Sequence, residues 1–143
     1  EEGTPEQVFD DPQREKTRAF IKRLNVFDYA ITSRGFDFLG MNNAMTEFGK
    51  KYALTRKQTD GLLRCVEELG VQTILPNVSE LSENAPIMIS LEYDEEKDSL
   101  SVLFTWHGDD FDPLEVGDEL AIALVKGTAK TVNHTSNQVK IVL

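Results

Sequence analysis

Six carboxylates crowd one short stretch: Asp109, Asp110, Asp112, Glu115, Asp118 and Glu119. Such a cluster could hold a divalent cation, because hard cations gather oxygen ligands from several carboxylates at once. The spacing does not match an EF-hand loop. Asp110-x-Asp112 is followed by Leu114, with no glycine or closing glutamate in register. The stretch therefore reads as a solvated acidic loop, and only a basic partner surface would compensate its like charges. His107 and His134 are isolated from each other and from any supporting Cys or third His, so they make no zinc set. Cys65 lies beside an apolar helical stripe with no histidine nearby, which reads as a packed thiol rather than a nucleophile. Met41 and Met45 recur at helical spacing and read as core.

The elements that must position these groups follow from periodicity. Val26 to Thr32 alternates, with Phe27, Tyr29 and Ile31 on one side and Asp28, Ala30 and Thr32 on the other, which predicts a half-buried strand. Phe38, Met41, Met45, Phe48 and Tyr52 then recur at helical spacing. Thr55-Arg56-Lys57-Gln58 is a capping box that starts a long helix. Its stripe of Leu62, Leu63, Val66, Leu69, Thr73 and Ile74 should end before Pro76. Asn77 to Pro86 is polar and irregular. Two strands follow, Ile87 to Tyr93 and Leu100 to His107, joined by the exposed run Asp94 to Asp98 as an antiparallel pair. Beyond the acidic loop, Leu120 to Ala129 predicts a helix and Gln138 to Leu143 a last strand. The order strand, helix, helix, strand, strand, helix, strand predicts an α+β fold. It should be a two-layer sandwich with a mixed or antiparallel sheet and helices on one face.

Before these elements, Thr4-Pro5-Glu6-Gln7 and Asp10-Asp11-Pro12 start two short helices. A chain that opens Glu1-Glu2-Gly3-Thr4 without an initiating Met reads as a piece of a longer protein. Its 143 residues suit one compact domain and a short appendage. The formal net charge of −10 repels phosphate backbones and anionic lipid heads, which argues against nucleic-acid and direct membrane binding. A single cysteine excludes an internal disulfide. No apolar run approaches the roughly 20 residues needed to span a bilayer.

Glu2-Gly3-Thr4-Pro5-Glu6-Gln7-Val8-Phe9, then Asp11-Pro12 and Thr17-Arg18-Ala19-Phe20, resemble the close of the ATP-binding subunit of polar amino-acid ABC importers. There the pattern runs E-x-G-x-P-x-x-x-F-x-x-P, then T-x-x-F. The likeness covers about the first 24 residues. It implies that residues 1–25 are the last helices or linker of a bacterial ABC ATPase domain. The parent chain would then be an ATP-hydrolysing transporter subunit, cytoplasmic and peripheral to the inner membrane. The phosphate loop G-x-x-x-x-G-K-[ST] does not occur here, so this piece is not expected to be an enzyme by that mechanism.

Residues 26–143 are similar in element order to the GHKL ATP-binding domains of anti-sigma-factor kinases and histidine kinases. Val66-Glu67-Glu68-Leu69 resembles the start of that family's N-box helix. Gly108 and Phe111-Asp112-Pro113-Leu114 resemble the tail of its D-x-G-x-G-F-D-P-L segment. Asp118-Glu119-Leu120-Ala121-Ile122-Ala123-Leu124-Val125 resembles the next helix.

The likeness implies an ATP site at Glu68, Gln72, Trp106, Gly108 and Asp110, and that site is altered at the positions that matter. Gln72 replaces the Asn that helps hold Mg²⁺. It lies four residues after Glu68, a spacing that puts both on one helix face, but its amide reaches one methylene further. Trp106 replaces the adenine-reading Asp and cannot accept a hydrogen bond, while its bulk could fill the base pocket. Asp110 replaces the second glycine, adding negative charge near the expected phosphates. Ala121 replaces a further glycine.

The resulting expectation is an accessory, regulatory domain of the transporter's ATP-binding subunit that keeps the fold and has lost the ATP site, with no cofactor. Its partners would be the ABC ATPase domain and a second copy of itself in a tail–tail dimer, and the membrane permease only through the parent chain. Two alternatives are an active nucleotide-binding domain or protein kinase, with Glu68 as base and Gln72 near Mg²⁺, and a passive adaptor docking through the acidic loop.

Overall fold

The computed structural model describes residues 24–143. The two short helices expected at Thr4 and Pro12, and with them the ABC-like segment up to residue 23, lie outside the described residues.

Strand β1 (Leu24–Ile31) is followed by α1 (Phe38–Lys51), α2 (Arg56–Cys65), a π-helical segment (Val66–Ile74) and the single turn α3 (Leu75–Asn77). Then come β2 (Ile87–Asp94), β3 (Ser99–Thr105), α4 (Pro113–Val116), α5 (Glu119–Thr128), β4 (Thr131–Thr135) and β5 (Gln138–Val142). The strands form one five-stranded sheet in the order β1-β2-β3-β5-β4. Every neighbouring pair is antiparallel. The fold is thus α+β around an open antiparallel sheet, and of the mixed and antiparallel sheets expected, the second is the one that forms.

The period-2 pattern decides which face of the sheet is covered. Ile87, Ile89, Leu91 and Tyr93 of β2, Leu100, Val102 and Phe104 of β3, and Val139 and Ile141 of β5 are all buried. In β1, Phe27 and Tyr29 are half-buried and Ile31 is buried, while Val26, Asp28 and Ala30 are exposed, as the alternation requires. The covering layer supplies Met41, Met45 and Phe48 from α1 and Leu62, Val66, Leu69 and Ile74 from α2 and the π segment. At Gly70 the helical layer lies close against the sheet. A Cβ there would lie 2.9 Å from Phe104 Cε2 and 3.8 Å from Ile89 Cδ1, so a side chain would push the helix off the sheet.

Local signals set most element ends. Asp37 caps α1, accepting the Gly40 N–H at 2.9 Å. Thr55 and Gln58 form the reciprocal capping box of α2, with bonds of 3.1 and 2.8 Å. Asp112 caps α4 and Asp118 caps α5. Thus two carboxylates of the acidic stretch satisfy helix N–H groups, and α4 forms inside what the sequence presented as a continuous loop.

Three expectations need correction. The long helix is not α-helical throughout: after Cys65 its bonding pattern widens to i→i+5. It also continues past Pro76 to Asn77, with the proline placed at the junction between the π-helical segment and the turn α3. Finally, β4 was not foreseen. Its pattern of exposed and half-buried residues carries no apolar run, and it exists as an edge strand because β5 pairs with it from Thr131 to Thr135.

Candidate functional site

The positions singled out by sequence fall in two groups. Trp106, Gly108 and Asp110 follow β3 directly, whereas Glu68 and Gln72 lie on the π segment. The structure ties the first three tightly together.

Asn137 is the hub. It sits in the two-residue turn between β4 and β5 with φ 53, a left-handed conformation that Asn tolerates better than most residues. Its side-chain Nδ2 donates to the carbonyls of Trp106 at 3.2 Å and Gly108 at 3.0 Å. Its backbone N–H donates to Asp110 Oδ1 at 2.9 Å, and its carbonyl accepts the Trp106 N–H at 3.1 Å. His134 Nε2 meets the same Asp110 oxygen at 3.0 Å. The hydrogen bond from His134, and next the one from the Asn137 backbone, hold the Asp110 carboxyl below its ordinary range. Asp110 is therefore committed to closing its own loop against the β4–β5 turn.

Trp106 is only 3% exposed. Its ring stacks on Phe111, with centroids 4.8 Å apart and planes at 26°, and lies parallel to the His134 ring at 6.2 Å and 7°. Its indole Nε1 is buried and finds no hydrogen-bond acceptor among the described residues. Gly108 has φ 89, and a Cβ there would collide with Ser79 Oγ. The same hydroxyl accepts the Asp109 N–H at 2.9 Å, and Glu80 bridges to His107. The segment at Ser79 and Glu80 thus lies over the loop, and the glycine is required by that close approach.

Glu68 is half-buried and Gln72 is exposed. Thr73, 1% exposed, donates its hydroxyl to the Glu68 carbonyl at 2.9 Å, five residues back along the widened turn of the π segment. Both α4 and α5 pack against this segment. Among the described residues no hydrogen bond joins Glu68 or Gln72 to the loop of Trp106, Gly108 and Asp110.

Among the described residues no group of three His, Cys, Asp or Glu side chains is arranged to hold a metal ion. Burial pushes the Cys65 thiol up to about 11, against the smaller opposing pull of Arg64, so it is protonated and unreactive at neutral pH. No helix among the described residues is long and apolar enough to cross a membrane.

His134 and Asn137 are the site residues that sequence reasoning missed. A signal was present: Ser136-Asn137 between Thr135 and Gln138 is a turn pair flanked by alternating residues. That hairpin would have brought His134 beside β5 and hence beside the end of β3. No family model matches the sequence, and no curated protein matches it.

Proposed function

We propose that this chain is the accessory, regulatory tail of the ATP-binding subunit of a polar amino-acid ABC importer, with a GHKL-type fold that has lost its nucleotide site. One observation carries the lost-site reading: Trp106 is buried and stacked on Phe111 where the family's adenine-reading carboxylate would stand. The neighbouring positions agree. Gly108 is covered by Ser79, and Asp110 spends its charge on His134 and Asn137. A base would have to displace a packed indole, and phosphates would meet a carboxylate already held ionised. The residues present therefore do not fit ATP with Mg²⁺.

The transporter context is supported by the residues from Glu2 to Phe20 that resemble the end of such a subunit. ABC ATPase subunits work in pairs, so two tails would face each other at high effective concentration. Tails that associate in only one state of the cycle would bias it by their difference in affinity between states.

Two experiments test the parts separately. Removing residues 26–143 from the parent subunit should change transport or its inhibition by internal substrate; an unchanged cycle would sink the regulatory reading. Titrating the chain with ATP and Mg²⁺, followed by Trp106 fluorescence and calorimetry, should give no saturable binding at millimolar nucleotide. Saturable micromolar binding would overturn the lost-site reading and make nucleotide sensing the leading function.

A further inference from the structure

At the opposite end of β3 from Trp106, beside the β2–β3 turn, a groove of about 580 Å³ runs between α2 and the end of α5. That volume lies inside the roughly 300–1,000 Å³ range of small-ligand sites. Its walls are built by close approach: Gly61 is buried, and a Cβ there would lie 3.1 Å from Thr128 Cγ2. The absence of that side chain lets α5 lie against α2. Gly127, on the other wall, has no atom within 4 Å of where its Cβ would be, which leaves the groove open at that point.

Three cations line this groove: Lys57 and Arg64 from α2, and Lys130 from the segment leading into β4. The chain carries 25 acidic against 15 basic residues, so a groove in which three cations outnumber two carboxylates, Asp60 and Asp98, runs against its composition. Among the described residues the ion pairs are Lys50–Glu47 and His134–Asp110, and neither involves the groove. Of the two acids in the lining, Asp98 already accepts hydrogen bonds from Tyr93 at 2.7 Å and Gln58 at 3.0 Å; the other is Asp60. Asp98 also attracts Lys130, yet with its oxygen held by Tyr93 and Gln58 the lining keeps a surplus of positive charge, and an anion placed among Lys57, Arg64 and Lys130 is attracted by it. Arg64 adds a planar fork suited to paired oxygens.

We propose that the groove between α2 and α5 binds a small anion, a carboxylate or a phosphate, through Lys57, Arg64 and Lys130. The proposal is independent of the transporter context and of the fate of the site at Trp106.

The test is a titration of the full chain at low ionic strength with inorganic phosphate and, separately, with succinate, followed by amide chemical shifts in ¹⁵N-resolved spectra. Saturable shifts centred on Gly61, Gly127 and Thr128 are expected for at least one probe, and the stronger probe identifies the oxyanion. Arg64→Gln and Lys130→Gln are exposed changes that should each weaken binding at least tenfold. Lys97→Gln, in the β2–β3 turn outside the groove lining, should leave it unchanged. No saturable shift with either probe would overturn the proposal. So would equal weakening by Lys97→Gln, since binding would then follow overall charge and not this groove.

Discussion

His134 Nε2 and the Asn137 backbone N–H both donate to one oxygen, Asp110 Oδ1, at 3.0 and 2.9 Å. A single carboxylate thereby pins the loop after β3 to the β4–β5 hairpin. The donor role of Nε2 follows because an ionised carboxylate can only accept.

These bonds need the charged carboxylate, and its folded value lies below the ordinary 3.8. A depressed value means the contribution is complete above the ordinary range and is lost as pH falls through the lowered folded value. Trp106, the only tryptophan, stacks beside His134 and reports this release. Its emission should change as pH falls below 3.8. Asp110→Ala should produce much of that change at pH 7 and flatten the acid transition. The substitution is needed because Asp98, lowered first by its bond from Tyr93 and then by that from Gln58, titrates in the same direction.

Replacing Trp106 should separate packing from polarity. Trp106→Ala should cost about 3–5 kcal/mol, the range for emptying a buried aromatic site. Trp106→Phe should cost markedly less, because a phenyl ring keeps the stack on Phe111 and removes an N–H that has no acceptor. Isolating such a donor costs about 1–3 kcal/mol. Urea denaturation followed by circular dichroism measures both.

Two backbone changes should act in opposite directions. Ala53 closes α1 at φ 55, a left-handed conformation that favours glycine. Ala53→Gly should stabilise by about 0.5–1 kcal/mol, the strain released being partly offset by chain entropy. Gly70→Ala should destabilise by about 1–3 kcal/mol although alanine is the better helix former, because its methyl meets Phe104. Thermal and urea unfolding of both variants checks the signs.

Cys65 offers a probe of opening. Its thiol is buried and raised from 9.0 to about 11 by desolvation, so the folded protein should resist iodoacetamide at pH 8 and react rapidly in urea. The raised value favours the neutral thiol. Its contribution to stability is complete below pH 9.0 and is lost as pH rises towards 11. Mass-spectrometric labelling rates at pH 8, with and without denaturant, decide the point; equal rates would refute burial of the thiol.

Much of the architecture was legible in the residues because the interactions involved are local. Alternation in Phe27, Tyr29 and Ile31, the spacing of Met41, Met45 and Phe48, and the box of Thr55 and Gln58 each describe one element's own face or end. Such features determine which side of a strand or helix is apolar before any partner is chosen. The weak alternation of β4 did not announce a strand, since an edge strand needs only one neighbour and little apolar surface.

What the tertiary structure decided is what depends on distant segments meeting. The sequence places Asp110 and His134 far apart, and only the turn at Asn137 and the pairing of β5 with β3 bring the imidazole to the carboxylate. The same holds for Arg64 and Lys130, which share a groove because Gly61 lets α5 lie against α2. The widening at Val66 lets the Thr73 hydroxyl reach the Glu68 carbonyl, and no local pattern of residue types marks it. Periodicity specifies an element's apolar face, whereas the partners of its polar groups are set by packing between elements, and there the composition of each segment alone is silent.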